Sequence, residues 1–332
     1  MNKLEKRDLK VDILRFIAIL GIIIAHSDPN KYIFEIRNFD VTLMVLLMGT
    51  SYYLSNSEKK VNYLSHIFKR FNRLVIPTWI FLIIFFTLFY LISFSLGDMY
   101  YFSVSQIISS FMLLSGIGYV WVMRVFFIIA LISPIILFLS KKIHNNIMFL
   151  LYILIGLLLQ FSLLYVYSLI DGVIAKGFEY IILPSLGYTL VAAIGIRLKQ
   201  LSNREIVIYI LSFLCVFLLF LFMNNFQSTQ LSKYPPGIYY LSYGVLCSLI
   251  LYLLLDNKIL FKLFNRDFVY LISKNSLWLY FWHIIPVQII FIFGRNTIFE
   301  ESFILRFMFI FSTAFAFTYT HYQVSKFIKG LK

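Results

Sequence analysis

Charge is what this chain has least of. Asp, Glu, Lys and Arg make up only 13% of its 332 residues, where a soluble domain carries about a quarter. So little polar surface cannot face water on all sides, which excludes a soluble globular fold. Cysteine is nearly absent: Cys215 and Cys247 are the whole supply, which excludes a disulfide-built secreted domain. Both lie inside apolar runs, where a small hydrophobe rather than a redox pair is expected. No His, Cys, Asp or Glu cluster has the spacing of metal ligands, so no metal is expected. A Walker-type glycine loop is missing, which argues against direct use of ATP. There is no internal repeat and no low-complexity tract. No polar stretch is long enough for a separate soluble domain.

What is present is hydrophobic mass. Apolar and aromatic residues account for 61% of the chain, with 37 Phe and 23 Tyr, and the mean hydropathy is +0.87. A disordered chain is excluded by that content. The net charge of +14 would suggest nucleic acid in a soluble protein. Here the basic residues are scattered between apolar runs and form no continuous tract, so nucleic acid is not an expected partner. Ten runs approach the roughly 20 apolar residues of a membrane span: 11–27, 38–56, 74–97, 119–139, 147–168, 179–198, 206–224, 238–255, 268–293 and 302–322. Sustained runs predict helices rather than the short alternating strands of a barrel. The expected fold is an all-α polytopic membrane protein of about ten transmembrane helices.

Orientation follows from the basic residues. Of 29 Lys and Arg, three (Arg15, Arg124 and Arg306) lie deep inside the predicted spans, while Arg197 and Lys274, near the inner ends of their runs, count with the flanks. Lys31, Arg37, Lys176, Lys233 and Arg295 fall on one side of the membrane and all the others on the side of the N-terminus. Both termini are therefore expected in the cytoplasm of a multi-pass cell-membrane protein. The first run carries Asp12 and Arg15 and lacks a small-x-small cleavage site, so it reads as a retained helix rather than a signal peptide. The stretch 98–118 has no Lys or Arg and reads as a long outer loop with room for a short interfacial or re-entrant helix.

Ionisable residues at membrane depth mark functional sites by default. The candidates are Arg15, His26, Arg124, His283 and Arg306. His26 lies eleven positions after Arg15, which on a helix puts both on one face about 16 Å apart along the axis. Such a pair suits a long ligand lying through the bilayer; the alternative is a snorkelling arginine and an interfacial histidine. Arg70 and Arg73, at i and i+3, suit phosphate recognition or serve as orientation signals. His283, among aromatics, is a core histidine or part of an acceptor site, and Arg124 falls just inside the outer end of its span, close after Trp121. Arg306, with Glu300 and Glu301 nearby, is left outside the site. His66, His144 and His321 read as solvated.

The run Asp12-Ile13-Leu14-Arg15-Phe16-Ile17-Ala18 followed by His26 resembles the opening of the membrane acyltransferase 3 family, in which an arginine, ten residues and a histidine share the first helix. The segment from Phe39 to Tyr52 is similar to the family's phenylalanine-rich second helix, although Met48 stands where the family has a serine before Gly49. Arg70-Phe71-Asn72-Arg73 with Ile76-Pro77 resembles its Arg-x-x-Arg motif. Tyr119-Val120-Trp121 resembles its tryptophan segment, and the stretch from Ser276 through Tyr280 to His283 its late Tyr-Leu-x-His segment. The resemblance covers residues 8–325. It implies transfer of an acyl group, most often acetyl, from cytoplasmic acyl-CoA to a sugar hydroxyl of a bacterial surface polysaccharide or its lipid-linked precursor. His26 and Arg15 would then be catalytic and Arg70 and Arg73 would bind the CoA. Arg124, Trp121, Tyr280 and His283 would line or support the acceptor site. A polysaccharide flippase or other transporter is the competing class, since it too needs buried arginines.

Overall fold

The computed structural model describes residues 8–330, and within them every regular element is helical. The helices are α1 (Leu9–Ala25), α2 (Lys31–Ile36), α3 (Asp40–Asn56), α4 (Tyr63–Leu96), α5 (Val104–Phe111), α6 (Trp121–Lys142), α7 (Asn146–Tyr167) and α8 (Gly172–Gly177). They continue with α9 (Leu183–Arg197), α10 (Asn203–Met223), α11 (Ile238–Leu254), α12 (Lys258–Phe264), α13 (Asp267–Lys274), α14 (Ser276–Trp282), α15 (Ile284–Phe293), α16 (Ile298–Glu301) and α17 (Phe303–Gly330). Their starts carry the side chains that satisfy orphan N–H groups. Asp8 caps α1 and Asn62 caps α4. Ser103 with Gln106, and Ser202 with Glu205, form capping boxes at α5 and α10. Helix α4 stops at Gly97, whose φ of 71° is the left-handed conformation glycine adopts without penalty.

Among the described residues seven helices are long and apolar enough to cross a membrane, or eight if the pair α11 and α12, bent by 99°, counts as one span. Helices α1 and α3 have 17 residues each, about 26 Å at 1.5 Å per residue. Nine of the ten predicted runs thus each overlap one main helix and the tenth, 268–293, is divided among three; two of the ten differ in build. The predicted 179–198 run is the end of a continuous stretch, Gly172–Gln200, that includes a π-helical turn at Phe178–Ile182. The predicted 268–293 run is interrupted at Asn275 and at His283. The loop expected at 98–118 contains α5. Helices α10 and α17 expose most of their apolar side chains, a surface that suits lipid rather than water. This is a multi-pass membrane protein.

The chain forms two compact units, and the boundary between them falls within α3. The first comprises the described residues 8–47, 200–233 and 238–330; the second comprises 48–199 and 234–237. In the first unit α1 packs against α11, α13, α14 and α17, and Ile13, Leu14, Ala18, Ile19 and Ile23 are buried. In the second, α6 packs on α4 and α9, and α7 on α9. Arg197, counted above as an orientation signal, is buried there instead. It donates to Asn146 Oδ1 at 2.6 Å and to the Ser140 and His144 carbonyls at 2.9 and 2.8 Å, tying the end of α9 to the α6–α7 turn.

Gly49 lets α3 approach α9 closely: a Cβ there would lie 2.1 Å from the Ala192 carbonyl oxygen. Thr50 completes the contact, donating to the Gly195 carbonyl at 2.9 Å. The obstacle is backbone, which cannot swing aside. Gly49→Val should therefore cost about 1–3 kcal/mol by overpacking, read as a lower melting temperature of the detergent-solubilised protein.

Candidate functional site

Helix α1 ends at Ala25, and His26 closes it by donating its backbone N–H to the Ile22 and Ile23 carbonyls. The imidazole of His26 therefore projects from the end of a buried helix. Opposite stands His283, in the break between α14 and α15 and fully buried. Pro286, three residues on, has no N–H to offer the Trp282 carbonyl, which favours a break at this point. The two rings meet edge to edge, with centroids 5.0 Å apart and planes 15° from parallel. His26 Nδ1 lies 2.8 Å from His283 Nε2.

The partners fix the protons. His283 Nδ1 meets the Tyr280 carbonyl oxygen, which can only accept, so Nδ1 carries the hydrogen. In a neutral imidazole the other nitrogen is then a lone-pair acceptor. His283 Nε2 accepts, and His26 Nδ1 donates. The lone pair of neutral His26 is consequently on Nε2. The Tyr280 ring packs edge-on against His283 at 5.2 Å, holding it from the side. One carbonyl thus sets the protonation pattern of two histidines, and the outcome is a basic nitrogen on His26.

The segment after His26 is held by α17. Arg306 Nε donates to the Ser27 carbonyl at 2.9 Å, and Nη2 donates to the Asp28 carbonyl at 2.9 Å. Nη2 also lies 3.1 Å from Asp28 Oδ2. The acidic partner is Asp28 rather than the suggested Glu300 or Glu301; from Glu300 it is the backbone carbonyl that accepts, at 3.4 Å. Three turns back along α1, Arg15 Nη1 lies 3.1 Å from Asp12 Oδ1 and 3.2 Å from Ser273 Oγ, and that hydroxyl donates to the same Asp12 oxygen at 2.8 Å. Asp12 is 3% exposed, and this triad joins α1 to α13.

Near the other end of α1 lies a second charged group. Gly21 faces Asp40 at the start of α3, where an added Cβ would lie 3.2 Å from Asp40 Cβ. Asp40 pairs with Arg37 and with Lys233. Burial lowers the Lys233 ammonium from its ordinary range, and the Asp40 carboxylate opposes that shift. Arg37 and Lys233, counted above only as basic residues of the outer segments, are buried here. Sequence reading missed them because Lys233 is far from Asp40 along the chain. The one local signal was the Arg37–Asp40 spacing of three, at the head of an apolar helix.

The remaining candidates belong to the second unit. Arg70, half-buried, has its guanidinium 5.8 Å from the Tyr52 ring centroid, and Arg73 is exposed. Among the described residues neither meets a carboxylate. Arg124 donates from Nη1 to the Leu113 carbonyl at 2.9 Å and lies over the Tyr180 ring at 5.1 Å. Trp121 meets Tyr234 edge-on at 4.9 Å. Two histidines expected to be solvated are packed. His66 is buried with Nε2 2.7 Å from the Ala130 carbonyl, and the His321 ring lies 3.8 Å from that of Trp278. Their cytoplasmic-loop and helix-end contexts hid the aromatic and carbonyl partners supplied by α6 and α14. His144 is exposed.

The family model described as an acyltransferase domain, that of the acyltransferase 3 family, matches residues 8–323. No curated protein and no solved structure matches the chain.

Proposed function

The chain belongs to the acyltransferase 3 family, and from that premise we propose that it is an O-acyltransferase carrying an acyl group, acetyl above all, from cytoplasmic acyl-CoA to a sugar hydroxyl of a surface polysaccharide or its lipid-linked precursor. The observation that supports this reading is the His26–His283 contact at 2.8 Å. A hydroxyl is a poor nucleophile at neutral pH, and a lone pair on His26 Nε2 is the base it needs. His26 takes the hydroxyl proton as the oxygen adds to the thioester carbonyl. Collapse of the tetrahedral adduct breaks the carbon–sulfur bond, and the imidazolium returns the proton to the departing sulfur. The products are the acyl ester and CoA thiol. His283 holds the reactive tautomer throughout, as the carboxylate does in a serine-hydrolase triad.

In this reading both termini are cytoplasmic, so His26 lies toward the outer face and Arg15 on the donor side, where it contacts the pantetheine arm. Reporter fusions at residues 58, 142 and 260 should read cytoplasmic and those at 105, 172 and 230 external; one inversion among the first four loops places His26 on the wrong side. Arg70 and Arg73 bind the CoA phosphates. Two neighbouring guanidiniums that meet no carboxylate among the described residues suit a polyanion. Arg70→Ala or Arg73→Ala should weaken acyl-CoA binding about tenfold or more, as loss of one charge-assisted contact does, with membrane insertion unchanged. Unaltered binding in the inserted double variant would return both residues to the role of orientation signals. The reaction itself is tested by supplying labelled acyl-CoA to the cytoplasmic face of sealed vesicles and scoring label on outward saccharide. No label across a range of acyl-CoAs and acceptors rejects the enzyme reading and favours transport.

A further inference from the structure

Arg37 and Lys233 are 6% and 4% exposed, and they share the Asp40 carboxylate, which is 1% exposed. Arg37 Nη1 donates to Asp40 Oδ2 at 2.8 Å, and Lys233 Nζ lies 3.7 Å from Asp40 Oδ1. Lys233 also donates to Asn38 Oδ1 at 3.3 Å. The amide of Asn38 is itself fixed, because its Nδ2 donates to Thr229 Oγ1 at 2.8 Å, which leaves the oxygen turned to the ammonium. The Phe34 ring covers the Arg37 guanidinium at 4.0 Å. Arg37 Nε is buried and has no hydrogen-bond partner among the described residues.

In this group two cations share the Asp40 carboxylate, and Arg37 keeps a donor that no described residue accepts from, out of contact with water. Leaving a charged donor buried without an acceptor is unfavourable, and each such group in a native structure calls for a functional explanation. The guanidinium is a planar fork that takes an oxyanion along an edge. Asp40 occupies Nη1, and Nε points to the kind of ligand that would complete the coordination. The group is joined to His26 by the short segment 27–36 and lies at the end of α1 away from Arg15. With the termini cytoplasmic that end faces outward, on the acceptor's side rather than the donor's.

We propose that Arg37 and Lys233 form a subsite for an oxyanion carried by the acyl acceptor, either the carboxylate of an acidic sugar or the phosphodiester of a lipid-linked saccharide. The acceptor assignment rests on the acyl-transfer reading, whereas binding of the anion does not. Anchoring the negative group beside His26 would fix which hydroxyl reaches the base.

The test is equilibrium binding to the full-length protein in lipid nanodiscs, without acyl-CoA, of methyl glucuronoside, methyl glucoside and a methyl phosphodiester of glucose. At least one anionic sugar should bind about tenfold or more tightly than methyl glucoside, the scale of one charge-assisted contact, and salt should erode the difference. A preference for the carboxylate points to an acidic sugar, and one for the phosphodiester to a lipid-linked acceptor. Arg37→Gln should collapse the ratio toward one. Arg37→Lys, which keeps the charge and loses the fork, should fall between. If Arg37→Gln does not insert, Lys233→Gln is read in the same way. Equal binding of all three sugars by the wild-type protein overturns the proposal, and so does a preference that survives loss of Arg37. Because no acyl transfer enters this measurement, its failure is distinct from an absence of label in the vesicle assay.

Discussion

Replacing His26 with glutamine should lower acyl transfer by at least ~100-fold, the lower end of what a positioned acid–base group contributes. Glutamine keeps much of the volume and can donate and accept hydrogen bonds, but it cannot take up a proton near neutral pH. Its amide can still donate to His283 Nε2, so the packing around α14 should survive, and insertion, melting temperature and acyl-CoA binding should stay near wild type. A loss of ~100-fold corresponds to roughly 2.7 kcal/mol of transition-state stabilisation, more than the stability change expected from a partly buried polar swap that keeps its hydrogen bond. The assay is label on outward saccharide in sealed vesicles, with expression and CoA binding measured on the same preparation. Near-normal labelling by His26→Gln would reject His26 as the base. It would leave a transporter or structural protein in which the side chain only hydrogen-bonds at the interface.

The helices were legible in the sequence because their cause is local. Apolar runs of membrane length, such as those in the helices capped by Asp8, Asn62 and Ser202, need no tertiary information to be recognised. The expectation that Arg15 and His26 share a face rests likewise on helical period alone. Partners were not legible. The Asp12 carboxylate that takes Arg15 is one turn away, yet the Ser273 hydroxyl that completes that triad comes from a helix near the other end of the chain. Loop position was a poor guide to burial. Arg37, Lys233 and Arg197 each sit at a helix terminus, where a charge count treats them as exposed, and each is buried against carbonyls or a carboxylate. Breaks inside apolar runs were also hidden. Nothing in the hydropathy of 268–293 marks the interruption at His283, although Pro286 removes the N–H that would have continued the ladder past it.

That interruption carries the second large effect. His283→Phe should reduce transfer by roughly 10- to 100-fold while His26 remains in place, because it removes the acceptor that holds the proton on His26 Nδ1. The imidazole is then at liberty to place its proton on Nε2, where it cannot act as a base, and the ring loses its orientation as well. Phenylalanine fills the buried volume and fits the edge-on contact with Tyr280, so a gross packing defect is not the expected cause of the loss. His283→Gln separates the two explanations. Its Oε1 can reach the neighbourhood of the original Nε2 and accept from His26, although its amide cannot reproduce the bond to the Tyr280 carbonyl. Glutamine should therefore recover a substantial part of the turnover lost in the phenylalanine variant, with KM for acyl-CoA the same in both. Equal loss in the two variants would mean that His283 serves by filling space. Full activity in His283→Phe would show that the tautomer of His26 is set by something other than the carbonyl of Tyr280 acting through His283.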